Sequence, residues 1–279
     1  MSNIINAIYN LVTDPIFDLR EVAEGRNRAN SAGDALEVYI KDLFAGTVHS
    51  SETDRLEKWS RTFSYTGNNS NPPDAMLFGG DAIEIKKIES DSAGLALNSS
   101  YPKQKLFSTS NMISESCRNA ENWSKKDMIY CVGTVKQKKL KHLAMVYGLD
   151  YCASEETYTS MKEKLKNGIE QIPNVEFSPT RELGRLNRVD PLGITYLRIR
   201  GMWGIENPFN VFDYLYQRNG NEFNFMCIID DDKFFSFENY LDIENLVGRV
   251  DGFSISNVRV KNPDNPSQLK DAKLIVFER

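Results

Sequence analysis

The sequence predicts an α/β fold of the mixed α+β kind, with a mixed central β-sheet flanked by helices. Segments with helical periodicity alternate with strand-like segments, and no strict β-α-β period orders them. The chain has 279 residues, of which 41% are hydrophobic, so it can bury one large core. We therefore expect residues 1–279 to form a single domain.

The first half of the chain carries the clearest patterns. Apolar residues at helical spacing predict helices over 3–12 and 31–44. Two apolar runs, 74–78 and 82–88, flank Gly79-Gly80-Asp81 and predict a β-hairpin, because glycine tolerates the positive φ of a type I′ turn. The remaining expectations here are a loop over 66–71, helices over 108–123 and 155–172, and strands over 128–135 and 140–147.

The second half is less regular. We expect strands over 194–199, 223–229 and 273–277, a short helix over 209–216 opened by Asn207-Pro208, and a helix over 236–246. The segment 171–191 is the least regular part of the chain, but its composition is not that of a linker.

Composition excludes several classes of protein. The sequence contains no run of about 18 apolar residues and no basic segment followed by a long apolar one at its start, so we expect no membrane span or signal peptide and a cytoplasmic location. The net charge of −5 argues against a surface coated in positive charge. Six lysines nevertheless lie between 125 and 142 against one acid, Asp127. That block either faces a polyanion or is a solvated strand edge.

Cysteine and histidine chemistry is also limited. Cys117, Cys131, Cys152 and Cys227 are widely spaced without a C-x-x-C pair, so buried free thiols are expected rather than a zinc site. The chain has only two histidines, which leaves little room for Ser-His-Asp catalysis. Carboxylates or lysines must therefore carry any catalysis.

The predicted hairpin gathers such residues. Asp74 and Glu84 would lie near the facing ends of its strands. Lys86 would share a face with Glu84, while Ile85 would point into the core, because residues two apart in a strand point to the same side. Two carboxylates can hold Mg²⁺, and a neighbouring lysine can orient the attacking water in phosphodiester hydrolysis. The alternative is an exposed hairpin with solvated charges.

The segment Pro73-Asp74, nine residues and Glu84-Ile85-Lys86 resembles the signature of the PD-(D/E)xK nucleases. That resemblance implies a restriction-endonuclease-like core over about 28–150, with Mg²⁺ bound by the Asp74 and Glu84 carboxylates and the backbone carbonyl of Ile85. Lys86 would be the catalytic lysine. Glu37 matches the glutamate that this family often adds from a preceding helix, and its alternative role is a helix-surface carboxylate.

Three segments, RANSAGDALEVYIKDLF, NPPDAMLFGGDAIEIKKIES and LALNSSYPKQKL, are similar to the restriction enzymes typified by the GGCC-cutting NgoPII group. This similarity implies a type II restriction endonuclease that cleaves double-stranded DNA at a short palindromic, G·C-rich site, GGCC by analogy, and leaves 5′-phosphate ends. It also implies a homodimer paired with a DNA methyltransferase. The alternatives are a repair or recombination nuclease and a catalytically silent DNA-binding protein of the same fold.

DNA contacts are expected from polar and basic residues outside the hairpin. Small hydrogen-bonding side chains and lysines after the second hairpin strand could reach phosphates, although an ordinary surface turn is equally open. Arginines in the second half could read guanine, since their planar fork matches guanine O6 and N7. They could equally pair with Glu182 and Asp190 or form a phosphate-binding face. We expect the second half to serve DNA recognition and dimerisation. The candidate residues are Asn30, Lys87, Asn98, Ser99, Ser100, Lys103, Lys105, Arg181, Arg185, Arg188, Arg198 and Arg200.

Overall fold

A computed structural model describes residues 1–19, 28–68, 70–180 and 182–279, without the side chains of 28–32. Its helices are α1 (Ile4–Thr13), α2 (Arg28–Ala45), α3 (Glu52–Thr62), α4 (Glu115–Arg118), α5 (Gly148–Tyr151), α6 (Glu155–Glu170), α7 (Pro208–Val211), α8 (Asp231–Phe235) and α9 (Tyr240–Glu244).

The strands are β1 (Phe63–Tyr65), β2 (Ala75–Leu77), β3 (Ala82–Ile88), β4 (Leu95–Asn98), β5 (Lys105–Phe107), β6 (Lys125–Lys136), β7 (Lys139–Tyr147), β8 (Glu176–Ser178), β9 (Gly184–Asn187), β10 (Tyr196–Ile199), β11 (Trp203–Ile205), β12 (Asn224–Asp230), β13 (Phe253–Asn262) and β14 (Asn265–Glu278).

The predicted mixed sheet is confirmed. Its strand order is β1-β2-β3-β6-β7-β12-β14-β13, and β5 pairs with β6. The β3–β6 and β7–β12 pairs are parallel, whereas the other neighbours are antiparallel. Because β12, β13 and β14 come from the last quarter of the chain, both halves of the sequence build the sheet that carries the hairpin.

Helices and loops cover the two faces of this sheet. On one face, Leu36 and Ile40 of α2 belong to the same buried cluster as Ile129 and Cys131 of β6. On the other face, Tyr130 and its neighbours on β6 pack with β4, α7 and the segment that follows it. The sheet is therefore buried on both sides, which explains the near-continuous apolar runs of β6 and β12.

The helix expected over 108–123 is wrong. Only Glu115–Arg118 is helical, and a loop precedes it. This segment is rich in Ser and Asn, whose side chains hydrogen-bond backbone groups outside helices. Ser114 accepts from the N–H of Cys117, and the Arg118 guanidinium donates to the carbonyls of Ser108 and Ser110. These bonds stabilise the loop.

Other differences concern lengths and turn chemistry. The helix expected over 209–216 is confined to Pro208–Val211, and that over 236–246 to Tyr240–Glu244. The hairpin is confirmed, but of its two glycines only Gly79 has a positive φ, +61°, so the connection is not a type I′ turn. Helix α3 and strands β8 and β9 were not anticipated, whereas the strand expected over 194–199 is present as β10. Strands β8, β9 and β10 form a small lobe.

The four cysteines are buried free thiols, as expected. Across the ranges that the structure describes, no helix has the length and apolarity needed to cross a bilayer.

Candidate active site

The β2–β3 hairpin sets Asp74 across from Glu84. Ala75 pairs with Ile83 in the antiparallel register, and the N–H of Asp74 donates to the carbonyl of Ile83 at 3.0 Å. The next pair outward along the hairpin is therefore Asp74 and Glu84. The sequence prediction that the hairpin brings these carboxylates together is confirmed.

Hydrogen bonds and ion pairs fix the side chains of Asp74, Glu84 and Lys86 relative to one another. Asp74 Oδ2 accepts from the backbone N–H of Ile85 at 2.6 Å. Lys86 Nζ lies 2.6 Å from Glu84 Oε1 and 3.9 Å from Asp74 Oδ2. Ile85 is only 8% exposed and belongs to the core on the opposite face, as the strand period predicts.

Burial and crowding perturb the protonation of this group. Burial, and then the nearby Asp74 carboxylate, raise the pKa of Glu84 to about 7. Burial acts to lower the pKa of Lys86, but the charges of Glu84 and Asp74 outweigh it and hold that pKa above its ordinary value. Lys86 is thus a stable ammonium ion, whereas Glu84 carries a cost for its charge that a cation would relieve.

The donor set fits a magnesium ion. Glu84 Oε2 is buried and has no hydrogen-bond partner within the described residues, so one oxygen remains to be satisfied. The Ile85 carbonyl points to the same edge of β3 as that of Ile83, since alternate carbonyls of a strand share an edge. Within the described residues, no three acidic, histidine or cysteine side chains form a metal-binding group. Two carboxylates, a carbonyl and water are nevertheless what Mg²⁺ uses.

Glu37 lies on α2 and its carboxylate is paired. Lys41, four residues later, places Nζ 2.5 Å from Glu37 Oε1 and 2.7 Å from the carbonyl of Thr66. Burial raises the pKa of Glu37, the Lys41 ammonium opposes this, and Asp74 adds to the rise. The charge of Asp74 therefore influences the protonation of Glu37. The role of Glu37 as a metal ligand stays a prediction.

Lys103 lies in the segment that follows β4, and the structure places it differently from the exposed turn considered above. It is 7% exposed, and its backbone N–H donates to Tyr130 Oη at 2.7 Å. Its ammonium donates to Ser100 Oγ and, at 3.0 Å, to the carbonyl of Tyr101. Burial lowers the pKa of Lys103 to about 8, while the charge of Glu84 acts in the opposite direction. A basic group in the connection after β4 therefore interacts electrostatically with Glu84.

A polar cleft of about 1200 Å³ is lined by residues close in sequence to the hairpin, although Asp74, Glu84 and Lys86 are not among them. Asn71, three residues before Asp74, lines it, and so do Lys103 and the loop that precedes α4. Asn71 donates to the carbonyl of Met112 in that loop at 3.0 Å. The cleft wall is therefore tied to the chain segment that leads into the β2–β3 hairpin.

Several predicted DNA-binding residues have partners in the protein. Lys87 pairs with Glu89 at 2.8 Å, Ser99 Oγ donates to Glu182 Oε1 at 2.9 Å, and Lys105 lies 3.0 Å from Asp127. Asn98 has a positive φ of 52° and ends β4. These contacts neither require nor exclude DNA, so the DNA-binding role of each stays a prediction.

The arginines of the second half separate into two groups. Arg200 Nε lies 3.1 Å from Glu182, and Arg188 Nε lies 3.5 Å from Glu176. Arg185 and Arg198 are exposed and face each other across β9 and β10. Two other candidates cannot be placed: Arg181 and the side chain of Asn30 lie outside the described residues.

Comparison with known proteins settles the family. The NgoPII restriction endonuclease family matches residues 2–261. The type II restriction enzyme NgoPII of Neisseria gonorrhoeae is 55% identical over 278 residues, which are 99% of this chain and 99% of that protein. The chain belongs to the NgoPII restriction endonuclease family. No solved structure matches it.

Membership confirms three predictions from the sequence: the family, the restriction-endonuclease-like fold and the class of enzyme, a type II site-specific deoxyribonuclease. The match extends well beyond 28–106, where the resemblance was recognised, and takes in the lobe and β12. The sequence singled out Lys103 but gave no signal for its burial or for the contact of Asn71 with the loop before α4, because both depend on packing between distant segments.

Proposed function

We propose that this protein cleaves double-stranded DNA in a Mg²⁺-dependent reaction at a short palindromic, G·C-rich sequence, GGCC by analogy with the NgoPII group. The observation that carries the proposal is the convergence of Asp74, Glu84 and Lys86 on one end of a buried hairpin, with Lys86 Nζ 2.6 Å from one carboxylate and 3.9 Å from the other.

Each residue has a chemical task in this proposal. Asp74, Glu84 and the Ile85 carbonyl would hold Mg²⁺, which supplies Lewis-acid stabilisation of the phosphate when bound. The Ile85 N–H orients Asp74 by a 2.6 Å hydrogen bond. Lys86 would orient the attacking water and offset the negative charge that develops on phosphorus. In-line attack by water breaks the bond to the 3′ oxygen and leaves 5′-phosphate and 3′-hydroxyl ends.

A palindromic target cut on both strands is most simply handled by a twofold dimer with one site per subunit, so we propose a homodimer. Among the aromatic residues over 203–216, Phe209 and Phe212 cannot contribute to the dimer interface, because they are 4% and 1% exposed and belong to the core. We further propose a partner DNA methyltransferase that modifies the same sequence and so protects host DNA.

The experiment is digestion of a plasmid of known sequence with and without Mg²⁺, followed by sequencing of the fragment ends. We expect discrete fragments whose ends share one short palindrome, and no cutting in excess EDTA. Random degradation, nicking confined to forks or junctions, or absence of cleavage on any DNA would each contradict the proposal. Methylation of the target cytosines beforehand should block cutting, and light scattering should give the mass of two chains.

A further inference from the structure

The lobe of β8, β9 and β10 presents a basic face that the catalytic site does not use. Arg185 pairs with Arg198, and Asn187 pairs with Tyr196, in the register of β9 with β10. Because paired residues and residues two apart share a face, these four side chains lie on one side of the small sheet. The opposite side carries Leu186 and its apolar neighbours.

The two arginines of this face, Arg185 and Arg198, have no acidic partner of their own among the described residues. Like charges directly opposite each other on neighbouring strands are destabilising, yet Arg185 and Arg198 occupy such a pair. Within the three strands, all of which the structure describes, the one acid is Glu176, which lies beside Arg188 at 3.5 Å. The face therefore suits an anionic partner.

The arginines are also held in position. The guanidinium of Arg185 lies 3.7 Å from the ring centre of Tyr196, and stacking leaves the donors at the edge of its plane available. Asp190 fixes the connection between the two strands, since its carboxylate accepts from the N–H groups of Leu192, Ile194 and Thr195. Asp190, which the sequence offered as a partner for the arginines, thus stabilises the turn between β9 and β10.

The lobe is attached to the active-site side of the protein. Ser99 donates to Glu182 at 2.9 Å, and β11, which follows the lobe, pairs with β4. Thr180, just before β9, lines the same cleft as Lys103 and Asn71. DNA bound across that cleft would pass the lobe.

We infer that the β9–β10 hairpin enters the major groove of the target and that Arg185 and Arg198 read guanine edges there. This inference rests on the proposed function. The major groove admits a β-ribbon, and the commonest specific contact in it is a bidentate bond from arginine to guanine O6 and N7. Arg188 and Arg200, which lie beside Glu176 and Glu182, do not read bases.

The test compares Arg185→Ala, Arg198→Ala and the matched control Arg259→Ala. Arg259 is an exposed strand arginine on β13, five strand positions from β3 along the sheet. For each purified variant, kcat/KM is measured on a duplex that carries the target and on duplexes with single substitutions at its guanines. Thermal unfolding checks that the variants fold.

We expect each alanine variant of the pair to lose on the order of 10- to 100-fold in kcat/KM on the target, with reduced discrimination at one guanine. The control should match the unmodified enzyme. Arg185→Lys and Arg198→Lys keep the charge but not the fork, so they should lose discrimination as well.

Lysine variants that cut with full specificity would identify phosphate contacts and overturn the inference. Alanine variants that match the control would overturn it too, while the unmodified enzyme's specific cutting would leave the proposed function standing. If the unmodified enzyme cuts no DNA, the proposed function fails and the inference with it.

Discussion

Asp74 Oδ2 accepts a 2.6 Å hydrogen bond from the N–H of Ile85, the residue between Glu84 and Lys86. The Asp74 carboxylate is thereby tied to the backbone of the neighbouring strand, between the two residues Glu84 and Lys86 that are proposed to act with it. Its position is set by protein atoms before any metal binds. Preorganisation of this kind lowers the cost of assembling a catalytic site.

Replacement of Lys86 should separate catalysis from binding. Lys86→Ala removes the ammonium that lies between Glu84 and Asp74, so we expect the cleavage rate to fall by about 100-fold or more, with DNA affinity changed far less. Plasmid cleavage and fluorescence anisotropy with labelled duplex measure the two effects. Lys261→Ala, on β13, is the control. Equal losses of binding and cleavage would argue against a catalytic role for Lys86.

Magnesium should stabilise the folded protein through Glu84. Binding to the folded state alone raises the free energy of unfolding by about 2.7 kcal/mol when Mg²⁺ is at 100 times its Kd. Thermal unfolding of the unmodified protein should therefore shift upward with Mg²⁺, and EDTA should reverse the shift. Glu84→Gln keeps the shape but loses the charge, so its shift should be much smaller. An undiminished shift in that variant would place the ion elsewhere.

The ion pairs that Lys233 makes with Asp81, in the hairpin connection, and with Asp127 should contribute strongly to the stability of the protein. Lys233 Nζ lies 2.8 Å from both Asp81 and Asp127, and the Asp81 side chain is 7% exposed. Lys233→Met would leave the buried Asp81 carboxylate without its charged partner, while Asp127 would keep Lys105 at 3.0 Å. Removing one partner of a buried ion pair typically costs about 3–5 kcal/mol. Arg61→Ala breaks an exposed pair with Glu57 and should cost less than about 1 kcal/mol. Urea unfolding of both variants measures the difference, and equal losses would refute it.

The sequence predicted the hairpin because its signals are local: two apolar runs, a Gly-Gly connection and the strand period that puts Glu84 and Lys86 on one face. It did not predict the burial of Lys103. That burial comes from contacts between segments far apart in the chain, where Lys103 meets Tyr130 and where a Cβ on Gly148 would lie 2.2 Å from the Lys103 carbonyl. Local patterns carry no information on such packing.

The helix predicted over 108–123 is also absent because of contacts between segments far apart in the chain. Its apolar spacing is helical, but Arg118 and Asn71 satisfy loop carbonyls in the folded protein. Long-range hydrogen bonds therefore override a weak local preference. Strands β8 and β9 were missed because they are only three and four residues long, too short for an alternation pattern to be distinguished. Strand β10 lies within the strand expected over 194–199.

Acid should destabilise the protein through His142. Burial lowers the pKa of His142 to about 4, although Asp91, 3.5 Å away, raises it; the cations Arg218, Lys136 and Lys141 also lower it. The unfolded chain, with an ordinary value near 6.5, binds a proton that the folded chain does not. Stability is therefore lost as pH falls from about 6.5 to 4, by up to about 3 kcal/mol.

Urea unfolding at pH 7.5 and at pH 5 measures this loss. The variant His142→Gln lacks the titrating group, so its stability should change less between the two pH values than that of the unmodified protein. An identical change in both proteins would assign the effect to other groups.

The contact between α2 and β6 offers a test of packing behind the site. A Cβ at Gly133 would lie 2.7 Å from a methyl carbon of Leu36, a fully buried residue next to Glu37. Gly133→Ala must displace the Leu36 side chain from its place against β6, and overpacking of this kind costs about 1–3 kcal/mol. Gly168→Ala on α6 meets nothing within 4 Å and should stabilise its helix by up to about 1 kcal/mol. The unfolding temperatures of the two variants should therefore shift in opposite directions. An increase in both would show that the Leu36 side chain can move away from residue 133 without loss of stability.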